Sequence, residues 1–269
     1  MDSIRADVAL VSRGLAPSRE RAQGLIRAGL VKCNGAALEK ASAKVNESDI
    51  LEVAGSNCPY VSRGGLKLEK ALDAFGVSPE GRVCMDVGAS TGGFTDVLLR
   101  RGASLVYAID VGTGQLVEEI AQSPRVISME HTNARNLQPE MFSPLPTLAV
   151  MDVSFISIRL ILPAVRRVMG AKGQLIALIK PQFEAGPSAL GKNGIVSNAR
   201  VHERVLNEIA AFAPSAGWQL TALDFSPIQG GSGNLEFLGN FQPIECAAAL
   251  PPNAKSIQAL VERAHKMLK

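Results

Sequence analysis

The chain has 269 residues, 46% of them apolar and 20% charged, with a formal net charge of +3. That length predicts one large domain or two unequal ones around a sizeable core, and so small a net charge excludes a global basic field for holding a polyanion. The longest apolar stretch, residues 144–168, is interrupted by Asp152, Arg159 and three prolines, so no run approaches the ~18 uncharged residues of a membrane helix. The first residues lack the apolar core of a secretory signal, which predicts a cytoplasmic protein.

Charge is concentrated near the N-terminus. Between Arg13 and Lys32 stand five basic residues (Arg13, Arg19, Arg21, Arg27, Lys32) against one acid, Glu20. Ala22, Leu25, Ile26 and Gly29 recur at helical spacing, and Ser18 is a candidate cap for that helix. Leu30–Cys33 then enters a hairpin turn at Asn34-Gly35, Asp49–Val53 alternates as a strand, and residues 54–59 read as a linker. The segment resembles the S4 RNA-binding domain in Arg5-x-Asp7, Gly14-Leu-Ala-Pro-Ser18-Arg19-Glu20-Arg21-Ala22, Leu25-Ile26-x-x-Gly29-x-Val31, Asn34-Gly35 and Asp49-x-Leu51. The resemblance implies contacts to structured RNA from Arg5, Arg19, Arg21, Arg27 and Lys32, read through shape and phosphates more than sequence.

From Tyr60 onward strands and helices alternate. Strands are predicted at 83–87, 105–109, 126–129, 147–151, 174–179, 220–228 and 236–241, and helices near 65–76, 93–101, 114–121, 158–169, 200–216 and 254–268. Residues 183–199, rich in Gly, Ser and Asn, read as a loop. Repeated βα units predict a parallel sheet covered on both faces and closed by a late edge hairpin. The predicted domains are 1–58, an S4 domain with its linker, and 59–269, an α/β Rossmann-like domain.

Strand 83–87 runs into Gly88-Ala-Ser90-Thr91-Gly92-Gly93, with Asp86 just ahead of the turn. The next strand ends in Asp110, whose carboxylate can accept hydrogen bonds from ribose hydroxyls. Dinucleotide folds want G-x-G-x-x-G. The spacing here suits S-adenosylmethionine instead, with Asp86, Gly88, Ser90, Thr91, Gly92, Gly93 and Asp110 as cofactor contacts, Asn133-Ala134 beside the adenine, and Val111 and Gln115 as further candidates. Phe94 and Phe155 read as core residues. Four cysteines without a C-x-x-C pair and three histidines without ligand spacing predict no metal site and mostly buried thiols.

Ligands bind at the carboxyl ends of such strands. Asp152 follows strand 147–151, Lys180 follows strand 174–179, Glu236 follows a Gly-Ser-Gly-Asn turn, and Lys67 lies on the helix opened by Ser62-Arg63-Gly64-Gly65. These segments, with Met151-Asp152-Val153-Ser154-Phe155-Ile156-Ser157, Lys180-Pro181-Gln182-Phe183-Glu184 and Gly233-Asn234-x-Glu236, resemble the TlyA family, in which an S4 domain precedes an FtsJ-like methyltransferase domain and which is also labelled haemolysin A. The resemblance implies 2′-O-methylation of cytidine ribose in ribosomal RNA with S-adenosylmethionine, the ribosomal subunit as partner, Arg63 near the RNA, and a catalytic tetrad of Lys67, Asp152, Lys180 and Glu236. Cys58-Pro59-Tyr60-Val61 departs from members that carry an arginine and a tryptophan there.

A ribose hydroxyl needs positioning and loss of its proton before it attacks a sulfonium. Lys180 is the expected base, oriented by Asp152, with Lys67 and Glu236 holding the ribose. Competing readings are a non-catalytic RNA-binding or ribosome-assembly factor, a haemolysin, and an NAD-dependent oxidoreductase. The intact tetrad opposes the first, the lack of an amphipathic membrane segment the second, and the missing G-x-G-x-x-G the third.

Overall fold

Successive side chains of each strand point to opposite faces of the sheet, and that alternation sets the layers. The computed structural model describes residues 3–13, 15–16, 19–27, 29–53 and 58–268, the side chains of Arg21 and Lys192 excepted. The chain divides into two compact units, Met1–Pro59 and Tyr60–Lys269.

The smaller unit runs β1 (Ile4–Arg5), α1 (Ala6–Ser12), α2 (Arg19–Arg27), β2 (Val31–Cys33), β3 (Ala36–Ala37), β4 (Lys44–Val45) and β5 (Leu51–Val53). β3 and β5 flank β2, and β1 pairs with β4. The predicted Asn34-Gly35 turn has both residues at positive φ, 50° and 81°, the backbone that matches a hairpin's twist. Helix α1 was not expected. Its seven residues are too few to show a period and too few to be stable alone; it is held by Ala6, Ala9 and Leu10 packing with Ala22 and Ile26. Ser18 and most of the predicted linker lie outside the described residues.

The larger unit holds a seven-stranded sheet, β6 (Val83–Val87), β7 (Leu105–Ile109), β8 (Val126–Met129), β9 (Leu148–Met151), β10 (Gln174–Ile179), β11 (Trp218–Phe225) and β12 (Phe237–Pro243), in the order β11-β12-β10-β9-β6-β7-β8. β6 to β10 are parallel, while β12 runs antiparallel to both β10 and β11, so the late hairpin closes one edge. The helices are α3 (Gly64–Phe75), α4 (Gly93–Arg100), α5 (Glu118–Ala121), α6 (Leu162–Met169), α7 (Pro181–Glu184), α8 (Ala199–Phe212) and α9 (Ala254–Met267). The helix expected over 114–121 shrinks to α5, and the loop expected over 183–199 contains the end of α7 and two 3-10 turns.

Odd-numbered strand residues, such as Met85, Met151, Leu175 and Ile179, pack with α6, α8 and α9. Even-numbered ones, such as Cys84, Val150, Ile176 and Leu178, pack with α3 and α4. This is an α/β Rossmann-like fold preceded by a small α+β unit. The chain leaves β6 toward β7 and β8 on one side, then returns to β9 and β10 on the other, so a crevice opens at the carboxyl ends of β6 and β9.

Candidate active site

Strand parity and direction bring the four expected ionisable residues together. Asp152 and Lys180 are the first residues past β9 and β10 and are even-numbered, so both turn toward the α3/α4 layer. β12 is antiparallel, which brings its first residue, Phe237, beside Ile179 at the end of β10. Glu236 directly precedes it, and Lys67 descends from the first turns of α3. Lys180 Nζ lies 2.6 Å from Asp152 Oδ1, and Lys67 Nζ lies 2.6 Å from Glu236 Oε2. The second pair is buried, with Lys67 8% and Glu236 2% exposed. A side chain at Gly230 would collide with Glu236 Oε1.

Two cavities flank this cluster. The larger, of about 360 Å³, is bounded by Gly88, Ser90, Asp110, Val111, Gln115, Asn133, Ala134 and Asp152. Val153, Ile156 and Ile161 add an apolar wall, with Thr132 beside Asn133. The smaller, of about 220 Å³, is bounded by Lys67, Lys180, Thr91, Gly93 and Ser62. Gly88, Ser90, Asp152 and Ser154 border both. Gly88 has φ +86°, and a Cβ there would come within 2.7 Å of the Asp152 carbonyl oxygen, so only glycine allows this approach. Asp110 accepts backbone N–H groups from Ser90 and Gly112, each at 2.8 Å. It thus ties the glycine turn to β7, and a carboxylate's remaining lone pairs stay available for a ligand.

Three expected residues stand off the cavity walls. Gly92 is the left-handed cap of α4, with φ 93°. Glu236 reaches the smaller cavity through Lys67. Asp86 is fully buried behind the turn, where Oδ2 accepts from Thr95 Oγ1 at 2.7 Å and Oδ1 has no hydrogen-bond partner among the described residues. Burial pushes the Asp86 carboxyl up to about 7; Thr95 opposes this, and the charges on Asp152 and Asp110 add to it. The folded protein therefore holds a proton that the unfolded chain, with an ordinary value of 3.8, has lost. The stability contributed is fully present below about pH 4 and is lost as pH rises to about 7. The melting temperature of Asp86→Asn, measured against wild type, should gain about 10 °C between pH 4 and 7 and level off above it; a pH-independent difference would refute this.

Phe155 departs from expectation. It is 92% exposed, with φ +64°, and its ring lies 5.2 Å from that of Phe183. Glu184 braces this turn by accepting from Ser157 Oγ at 2.6 Å and Ile158 N at 2.8 Å. Ser154, unremarked in the sequence, accepts from Lys180 Nζ at 2.9 Å; its place two residues past Asp152 was the available signal. Among the cysteines Cys84 alone is buried, Cys33 and Cys58 are half-buried and Cys246 is exposed, against the expectation of mostly buried thiols.

In the smaller unit, buried Asp7 gathers the basic side chains. Arg5 Nε and Nη2 each donate to it at 2.9 Å, Gln23 Nε2 at 2.8 Å and Arg19 Nη2 at 3.3 Å. The hydrogen-bonded Arg5 guanidinium, with help from Gln23 and Arg19 and against burial, holds the Asp7 carboxyl well below the usual carboxylate range. Arg27 ends α2 exposed, and exposed Lys32 faces Glu52 across the β2–β5 pair. Arg21 lies in α2, its side chain outside the described part. Arg63 precedes α3 in the larger unit, donating to the Gln229 carbonyl at 3.4 Å. Arg13 is taken up structurally, bonding the Asp49 and Asn46 carbonyls.

Residues 60–242 match the FtsJ-like methyltransferase family, and residues 4–51 match the S4 domain. A Mycobacterium tuberculosis protein named 16S/23S rRNA (cytidine-2′-O)-methyltransferase TlyA is 41% identical over 97% of this chain and 96% of its own length. The chain belongs to the TlyA family. Its similarity extends to a Bacillus subtilis protein provisionally named rRNA methyltransferase YqxC, 46% identical over 98% of this chain and 95% of the relative. A Streptococcus thermophilus structure provisionally described as a hemolysin matches with a TM-score of 0.79 and 47% identity, over 99% of this chain and 97% of that one. The hemolysin label of TlyA relatives finds no membrane span here, since no helix among the described residues is long and apolar enough to cross a bilayer.

Proposed function

We propose that this TlyA-family chain transfers a methyl group from S-adenosylmethionine to the 2′-hydroxyl of a cytidine in ribosomal RNA. The observation that carries the reading is the Asp152–Lys180 pair, with Asp152 on the wall common to a nucleoside-sized cavity and a polar cavity that Lys180 lines. Relatives named for this activity, matched over nearly their full length, support it.

The cofactor fits the larger cavity. Gly88 admits close backbone approach, Asp110 keeps lone pairs for ribose hydroxyls, and Asn133, Ala134 and the Ile156/Ile161 wall suit an adenine. S-adenosylmethionine, when bound, supplies an electrophilic methyl group on a sulfonium. Lys180 takes the proton from the ribose 2′-oxygen, and Asp152 holds its amine at the boundary between the cavities. Lys67, anchored by Glu236, faces the smaller cavity and holds the ribose there through its positive charge. Exposed Phe155 offers a flat apolar surface to a base lifted from its stack, since aromatic rings are worth about 1–3 kcal/mol per stacked base.

The S4 unit supplies the RNA grip. A guanidinium fixed in advance loses less freedom on meeting a phosphate, at about 0.5–1.5 kcal/mol per side chain. Asp7→Asn raises the net charge by one, yet it should weaken rRNA binding about 10-fold by releasing Arg5 and Arg19. Gel-shift titration at fixed salt measures this, with a thermal melt to check folding; unchanged or tighter binding would show that Asp7 does not organise the arginines.

The deciding experiment gives purified protein and methyl-labelled S-adenosylmethionine to ribosomal subunits, then maps reverse-transcriptase stops at limiting nucleotide. Label at a cytidine 2′-oxygen, matching a modification lost from cells without the protein, is the expected result. Label on a base, or none in RNA, would defeat the reading.

A further inference from the structure

The two groups touching Lys180 Nζ restrain it differently. Asp152 Oδ1 lies 2.6 Å away but accepts no aligned hydrogen bond; this contact is an attraction between charges, which fixes distance more than direction. The aligned hydrogen bond runs to Ser154 Oγ at 2.9 Å. On another side stands the ring of Phe183, its centroid 5.9 Å from Nζ. Ser154 is exposed and borders both cavities. Its place is set by the turn after it, where Phe155 is left-handed and Glu184 clasps Ser157 and Ile158.

A neutral amine carries two N–H bonds and one lone pair, so a base built from it works only when the lone pair faces the proton it takes. Rotation about Cε–Nζ costs little unless an N–H is pinned. We infer that Ser154 is a positioning residue that aims Lys180: its hydroxyl oxygen accepts one N–H and thereby turns the lone pair into the smaller cavity, toward the ribose 2′-oxygen. As the O–CH3 bond forms and the S–CH3 bond breaks, the hydroxyl proton passes to Nζ. The sulfonium's electron deficit is filled by the bonding pair, which leaves as a neutral thioether. Ser154 acts through Lys180 alone and gains or loses no proton overall.

This inference rests on the reading of Lys180 as the base, and the two can fail separately. The test compares Ser154→Ala, Ser154→Thr and Lys180→Ala on ribosomal subunits, with cofactor binding measured by calorimetry and folding by thermal melts. Ser154→Ala should lower kcat about 10- to 100-fold, within the range that misaligned proton transfer costs. KM for RNA and the cofactor Kd should stay within a few-fold, and the solvent deuterium isotope effect on kcat should grow as proton transfer becomes limiting. Ser154→Thr, which keeps the hydroxyl, should recover most of kcat. A Ser154→Ala enzyme with normal kcat beside an inactive Lys180→Ala overturns the inference alone, and so does a loss confined to KM or one that threonine fails to repair. An active Lys180→Ala overturns the reading of the base as well.

Discussion

Lys180→Ala should lower kcat by about 10³-fold while the cofactor still binds within a few-fold of wild type. A positioned general base contributes roughly 10²–10⁴ in rate, and here the same side chain also faces the pocket where the sugar must dock. The larger cavity has no wall from Lys180, so its affinity for the nucleoside should be unaffected. Single-turnover methylation with preformed enzyme–RNA complex, beside calorimetry with the cofactor, separates the two. Loss of cofactor binding in parallel with activity would make Lys180 a structural support of the larger cavity. Lys180→Arg is an informative partner: a guanidinium keeps charge and reach but does not give up its proton near neutrality, so it should be as inactive as alanine.

Glu236→Ala should lower stability by about 3–5 kcal/mol, the usual result of removing one member of a buried ion pair. Its carboxylate is 2% exposed, and Lys67, 8% exposed, would keep an ammonium in the interior with its partner gone. Each kcal/mol moves a domain of this size by roughly 2–4 °C, so the melting temperature should fall by about 10 °C. The double change Lys67→Met with Glu236→Leu removes both charges and should return most of that loss, because an apolar pair of similar volume avoids the desolvation that ions require. Activity should stay low in the double variant, as the ribose then meets no cation at Lys67. If the single and double variants melt together, the pair contributes nothing by its charge.

These expectations differ in how far the sequence foresaw them. β7, β9 and β10 are buried on both faces, so their apolar runs marked them, and the polar residue after each run (Asp110, Asp152, Lys180) marked the candidate site; β6, interrupted by Asp86, was marked by the glycine turn that follows it. Asp152 and Lys180 were legible for that reason. Phe155 was not, because exposure is a property of what packs around a residue, and a phenylalanine between Ser154 and Ile156 reads like any core position. Helix α1 was equally hidden: seven residues carry no readable period, and α2 provides the surface that makes it a helix.

The primary structure by itself determined the two-part organisation, the parallel strands and the identity of the four ionisable residues, because periodicity and motif spacing are local properties written in consecutive residues. The tertiary structure alone decided that Asp86 is sealed behind the turn with its carboxyl pushed up to about 7, that Asp7 gathers two arginines, and that Ser154 aligns with Lys180. Burial and hydrogen-bond direction depend on atoms brought together from distant parts of the chain, and those distances exist only once the sheet has formed.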